Sequence, residues 1–292
     1  MTIWCVYHRI DFDGVCSAAI TRHKYPGAEL IGLDYYDKFD TSTFKDGDTV
    51  IVVDFSFPPE GMEELNNRCT LIWCDHHRTS IEKNSHLSIE GSQGEELAGC
   101  EHTIKYFFPD DPVPRAVTLL GRYDIWDHED PDVVPFQLGM RVSDAYDPLD
   151  PIWYKLLVTA TSPFIDSIID DGHIIQAYEK EYNKRYMVSH AIECEFNGIS
   201  AIAVNKGLIS TYTFDGFYDP KRHILMVGFS FQPNGMWRYS LRTEKDYIDC
   251  GALARAFGGG GHPKSAGFEW PELLINTELV RLRQEMGLAA GR

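Results

Sequence analysis

Three short runs in the first eighty residues, Ile3 to Tyr7, Thr49 to Phe55 and Thr70 to Cys74, are almost wholly apolar, and each carries a histidine or an acid at or just past its end. Their β-branched and aromatic content reads as strand. A strand that is apolar along its length is covered on both faces, which is the condition of a parallel sheet flanked by helices. Helical spacing intervenes as such a sheet requires. Gly14 to Lys24 sets Val15, Ala18 and Ala19 on one side, and Pro58-Pro59 opens a helix through Leu65. Ala28 to Leu33 adds a further strand. The N-terminal half is therefore expected to be α/β with a parallel sheet.

Beyond it, Glu95 to Phe108 and Val113 to Tyr123 have helical patterns, interrupted later by Pro148 and Pro151. Ile165 to His190 reads as one long helix, and a domain boundary is expected near residue 190, giving domains 1–190 and 191–292. The last third changes character. Ile199 to Val204, Ile224 to Phe231, Trp237 to Leu241 and Ala266 to Trp270 read as strands, with a helix at Asp249 to Phe257. Two more helical turns are expected near the end, packed on this sheet, with residues 287–292 frayed. A second, smaller α/β domain joined to the first by the long helix is the expected architecture, and 292 residues suffice for it.

The formal net charge of -17 argues against a protein that coats long nucleic acid, since such proteins offer a broad basic surface. Most of the acids are read as solubilising, and some as clustered to hold cations. Seven cysteines, with no CxxC pair, fit reduced buried thiols and give a zinc-thiolate site little support. No apolar run approaches the ~20 residues of a membrane span, and no charged leader or cleavage site precedes the first strand. A cytoplasmic protein without a membrane partner is expected.

The strand ends carry the chemistry. His8, Asp11 and Asp13 follow the first strand in VYHRIDFDG, Asp54 closes the second in IVVDFS, and Asp75-His76-His77 closes the third. In a parallel sheet the carboxyl ends of strands face the ligand crevice. Each group has a plainer reading, as a helix cap for Asp11, Asp13 or Asp54 and as a solvated turn for Asp75 to His77. Three such ends in succession favour one shared site. Asp124, in GRYDIWDHED, follows a helix and stands close to Asp127, so either could be the last acid of that site. Near the C-terminus, Gly258 to Gly261 precede His262. Glycines there let backbone N–H groups approach a phosphate, the plainer reading being a flexible turn. Arg242 ends the strand in YSLRT, where it could engage phosphate with two donors or form a surface salt bridge.

The ordered set HxxDxDG, VDFS, DHH and a later Asp resembles the DHH phosphoesterase superfamily of RecJ-like exonucleases, nanoRNases, cyclic-dinucleotide phosphodiesterases and family II pyrophosphatases. AFGGGGHPKSAGF resembles the glycine-rich motif of the DHH-associated C-terminal domain. The motifs run from Tyr7 to Phe268. The resemblance implies two divalent ions, one held by His8, Asp11 and Asp54 and one by Asp13, Asp54, His76 and Asp124. It implies that Asp75 orients a ligand histidine. His77 would face the substrate phosphate or protonate the leaving group. Substrate phosphate would be bound by Arg242, Gly259, Gly260, Gly261 and His262. Imidazole and carboxylate ligands without thiolate suit manganese first, with magnesium, cobalt or iron as alternatives. The chain departs from the family pattern twice. Many nanoRNase-like members have one more residue between the first histidine and aspartate. Gly99 and Cys100 also stand where relatives often carry small hydroxyl residues.

The expected activity is hydrolysis of short oligonucleotides or of linear or cyclic dinucleotides, with no long nucleic-acid partner and with homodimerisation open. A nucleotide phosphomonoesterase and a non-catalytic nucleotide sensor are the alternatives. Every ligand position that can be matched is filled, which favours an enzyme.

Overall fold

The computed structural model describes residues 1–35, 37–143, 145–159 and 162–276. The helical turns expected near the C-terminus and the frayed residues 287–292 lie outside the described residues. The chain divides into two compact units, and the second begins at Ala177.

The first unit runs β1 (Ile3–His8), α1 (Phe12–Lys24), β2 (Glu29–Leu33), β3 (Thr49–Val53), α2 (Pro59–Arg68), β4 (Thr70–Asp75), α3 (Arg78–Asn84), β5 (Glu90–Gln93), α4 (Gly99–Phe107), α5 (Arg115–Asp124), α6 (Val133–Val142), α7 (Pro151–Tyr154) and then into α8 (Ser162–His190). Its strands lie in the order β2-β1-β3-β4-β5, every pairing parallel. The chain leaves β1 on one side to form β2 and returns on the other to form β3. That reversal opens a crevice at the carboxyl ends of β1 and β3, where doubly wound sheets bind ligands.

Both faces of the sheet are packed, as the apolar runs require. Cys5, Tyr7, Ile51, Val53, Ile72 and Cys74 join one core with Phe12, Val15 and Ala19 of α1 and Ile104 of α4. The alternate residues Val6, Val50, Val52, Leu71 and Trp73 join a second core with Met62 and Leu65 of α2. Burial on both sides fixes the register, because a one-residue slip would turn every side chain to the wrong face. The register matches Tyr7 with Val53 and Val53 with Cys74. His8, Asp54 and Asp75 therefore fall in the next row, side by side at the strand ends.

In the second unit the sheet comprises β6 (Ala191–Phe196), β7 (Ile199–Asn205), β8 (Leu225–Phe231), β9 (Trp237–Arg242), β10 (Gly260–His262), β11 (Ser265–Trp270) and β12 (Ile275–Asn276), with α9 (Cys250–Arg255) packed on it. The order is β10-β11-β9-β8-β7-β6-β12, and only β7 and β8 run parallel. Phe268 lies between Tyr239 and Phe257, with ring centroids 4.8 and 4.6 Å away.

Several elements were not expected. The helix anticipated from Glu95 starts only at Gly99, and the residues before it include β5. β5 is a four-residue edge strand of sequence EGSQ, too short and polar to show a strand period. Its Gly91 has Trp73 O where a Cβ would sit, at 1.9 Å. β6 follows α8 with no proline or glycine between them, so its alternation of apolar residues and glutamates was hidden behind the helical pattern. Among the described residues no helix is long and apolar enough to cross a membrane.

Candidate metal centre

The loop from β1 into α1 does two things at once. Asp11 is the N-cap of α1, its Oδ1 accepting from Gly14 N at 3.1 Å, while its Oδ2 stands 3.0 Å from His8 Nδ1. Cap and candidate ligand are thus not alternatives for Asp11. Gly14 allows the tight approach, since a Cβ there would lie 1.9 Å from His8 O. Asp13, in the first turn, is buried with both oxygens bound. Oδ2 accepts from Gly99 N at 2.8 Å and Oδ1 from Cys100 N at 2.7 Å. These are the first N–H groups of α4, which lack partners inside the helix and attract negative charge.

Asp54 stands between the two groups of side chains. Its Oδ2 is 3.8 Å from His8 Nδ1, and its Oδ1 is 3.3 Å from His76 Nε2 and 3.7 Å from His77 Nδ1. His76 Nε2 also lies 3.1 Å from Asp124 Oδ2 and 3.6 Å from Asp13 Oδ2. Ligand-type atoms consequently gather in overlapping sets, among them His8, Asp11 and Asp54, and Asp13, His76 and Asp124. Asp124 joins this cluster at the end of α5. Asp127 instead accepts from Glu129 N at 3.2 Å and stands 3.8 Å from Arg122 Nε.

Asp75 is fully buried, which excludes a solvated turn. Its Oδ1 accepts from the backbone N–H groups of His76 and His77, at 2.8 and 3.1 Å, and lies 2.8 Å from His77 Nδ1. Its side-chain partner is thus His77, whereas the ring of His76 turns to Asp13, Asp54 and Asp124.

The cluster is electrostatically loaded. Burial pulls the His8 imidazole down, but hydrogen bonding and charge from Asp11 and Asp54 outweigh it and raise its pKa to about 10. His76 behaves likewise, burial being outweighed by Asp54, Asp13 and Asp124, to reach about 10. Asp13 and Asp124 are pushed upward by burial and then by neighbouring carboxylates. Asp54 Oδ1 is buried without an aligned hydrogen-bond donor. Buried carboxylates and imidazoles that lack saturated partners, all with oxygen or nitrogen donors, fit hard or borderline divalent cations.

Two neighbours carry no sequence motif that marks them. β2 delivers Asp34 one residue past its end, with Oδ1 3.9 Å from His8 Nε2. Tyr35 then stacks on Phe55 with centroids 4.9 Å apart and meets His8 at 5.3 Å and His77 at 5.7 Å. Arg9 ties this turn down by pairing with Asp37, which also accepts from Asp34 N at 2.8 Å. Only the adjacency of β2 to β1 brings these residues in.

In the second unit, Arg242, Ser265 and His262 form one row across β9, β11 and β10. Directly paired antiparallel residues share a face of the sheet, so these three side chains do. Arg242 Nη2 donates to Ile209 O at 3.1 Å, and Lys264 pairs with Asp246 at 2.6 Å. The glycine run has structural reasons of its own. Gly258 and Gly261 have φ of 81° and 136°. A Cβ on Gly259 would lie 2.2 Å from Gly267 O, whereas one on Gly260 would meet nothing within 4 Å. Gly260 is thus the open position of the run.

No family model matches the chain. The oligoribonuclease NrnB of Bacillus subtilis (strain 168) is 26% identical over 247 residues, covering 75% of this chain and 59% of the relative. The chain spans 59% to 66% of the length of the curated relatives it matches. Among solved structures, the DHH domain of a member of the s1p family of ribosomal proteins superposes with a TM-score of 0.61 at 11% identity, covering 100% of this chain and 87% of that one. A pGpG-specific phosphodiesterase of Vibrio cholerae gives a TM-score of 0.51 at 10% identity, covering 99% and 100%. At such identity the structural likeness is one of fold.

Proposed function

We propose that this chain, a member of the DHH phosphoesterase superfamily, is a phosphodiester hydrolase that uses two divalent ions to cut short oligonucleotides or dinucleotides, linear or cyclic, to mononucleotides. The observation that carries this reading is the position of Asp54, within 4 Å of His8 on one side and of His76 on the other. His8, Asp11 and Asp54 would hold one ion, and Asp13, Asp54, His76 and Asp124 the other. Manganese suits this donor set first, with magnesium, cobalt or iron as alternatives. Two such ions supply a water of lowered pKa and offset charge on the phosphoryl oxygens.

The remaining steps fall to the protein. Asp75 accepts a hydrogen bond from the Nδ1–H of His77 and so leaves Nε2 as the nitrogen that would face substrate. Burial disfavours the charged form of His77, but Asp75 and Asp54 outweigh it, raise its pKa and so favour the imidazolium. In that form His77 donates a hydrogen bond to a phosphate oxygen and can protonate the departing alkoxide. Arg242, His262 and the backbone of Gly259, Gly260 and Gly261 would hold a second phosphate, with Gly260 the open position among the three. Metal binding and phosphate recognition thus belong to residues 1–190 and 191–292 in turn. A short substrate is supported by the charge of -17 and by the names of the relatives, an oligoribonuclease and a pGpG-specific phosphodiesterase.

The test is hydrolysis of a panel with each metal in turn: a linear dinucleotide, a five-residue RNA, a long single strand, a cyclic dinucleotide and pyrophosphate. Turnover confined to short or cyclic phosphodiesters is the expected result. No turnover with manganese, magnesium, cobalt or iron would sink the reading.

Metal uptake should also release protons. Without metal, His8 and His76 are imidazolium at neutral pH, because their pKa values stand at about 10. A bound ion needs the neutral ring and an ionised carboxylate, so binding expels at least these two protons. Affinity therefore falls as pH falls. Calorimetric titration with manganese in PIPES and in Tris should give heats that differ by the buffers' ionisation enthalpies times the protons released. Equal heats in both buffers would contradict this charge state.

A further inference from the structure

Two residues beyond Asp124, Trp126 is 51% exposed and adopts a φ of +66°. Trp126 is the left-handed residue that ends α5, a place where glycine is usual and a bulky side chain bears a backbone cost. The surroundings hold it in place. Trp126 N donates to Tyr123 O at 3.3 Å, and Asp127 N to Arg122 O at 2.8 Å. The indole meets His128 at a tilt of 44° with centroids 4.6 Å apart, and His128 stacks on Tyr123 at 5.3 Å and 25°. The result is an aromatic side chain braced on one side by His128 and half open to solvent. Two peptide units place its Cα within about 7 Å of that of Asp124, whose carboxylate is 3.1 Å from His76. The backbone of Trp126 closes α5 as the left-handed residue after its C-cap, a role that needs no indole and that glycine or asparagine would fill with less strain, so the exposed side chain has no part in core or cap.

We propose that Trp126 is a nucleobase platform, on which the base of the nucleotide whose phosphate lies at the metal centre stacks. The phosphate part of this statement rests on the phosphodiesterase reading; the affinity for a base does not. Aromatic plates take any base, because every base has a π-face, so the platform selects nucleotides over inorganic polyphosphates without reading sequence.

Trp126→Ala and Trp126→Phe, each checked for an unchanged melting temperature, separate the possibilities. With the linear dinucleotide, Trp126→Ala should raise KM about 5- to 150-fold, the span of losing one stacked base, and Trp126→Phe should recover most of it. The effect should fall on KM rather than kcat. It should vanish with a dinucleotide that lacks the stacked base. An unchanged KM in Trp126→Ala overturns the proposal. If the wild type hydrolyses nothing, the phosphodiesterase reading fails, and fluorescence in EDTA decides the platform alone. Quenching by AMP that is present in the wild type and absent in Trp126→Phe supports it; equal quenching, or none, overturns it.

Discussion

Asp54→Asn is expected to remove both metal ions and nearly all turnover while the chain stays folded. Asp54 is 1% exposed and is the side chain within 4 Å of His8, His76 and His77 together. An amide keeps its shape but offers one oxygen and no charge, so it cannot serve two cations. Its backbone has a φ of +49°, a conformation that asparagine tolerates well. Alanine would add about 1–2 kcal/mol of strain there and confuse chemistry with stability. Metal stabilisation of developing phosphoryl charge is worth several kcal/mol, so about 4 kcal/mol lost corresponds to a roughly 10³-fold fall in kcat. Metal content by mass spectrometry, read beside kcat and the melting temperature, checks this. A variant that keeps two ions and near-normal turnover would refute the shared-carboxylate arrangement.

Much of this site was legible because its framework is written in apolar runs. Ile3 to Tyr7, Thr49 to Phe55 and Thr70 to Cys74 announce buried parallel strands, and what closes each run is displayed at one sheet edge. The fold expected, a parallel-sheet α/β unit followed by a smaller α/β unit after a long helix, is the fold found. Asp34 and Tyr35 were not legible, since an acid and a tyrosine after a short strand carry no pattern. Their meaning comes from strand order, which places β2 beside β1. Asp127 and Asp124 differ only in three dimensions, because the turn through Trp126 sends one to Arg122 and the other to His76. The glycine run reads in sequence as a phosphate cradle, and backbone conformation and the approach of Gly267 give three of its four members a structural reason besides. Periodicity reports burial, and the packing of one backbone on another leaves no trace in it.

Gly99→Ala is the second substitution with a large expected effect, and its sign is diagnostic. In an unconstrained helix, alanine is favoured over glycine by roughly 1 kcal/mol, so a permissive position would gain stability. Here the added methyl would lie 2.7 Å from Asp54 Cβ, 2.9 Å from Asp54 Oδ1 and 3.0 Å from Asp13 Oδ2. Neither side chain can yield cheaply. Asp54 is fixed by its left-handed backbone, and Asp13 is held by the N–H groups of Gly99 and Cys100 themselves. Relief must come from a shift of α4, which lengthens those charge-assisted hydrogen bonds, or from rotation of Asp54 away from His76. Overpacking of this kind costs about 1–3 kcal/mol, or roughly 2–12 °C in melting temperature for a domain of this size. Displacing the two carboxylates should also weaken metal binding about 10- to 100-fold, the scale seen when ligand-orienting contacts are lost. Thermal melts in EDTA and manganese titrations measure the two effects separately. A higher melting temperature with unchanged manganese affinity would mean that Gly99 is incidental. A fall in both would mean that the absent side chain at the start of α4 is what lets Asp13 and Asp54 reach the same ion.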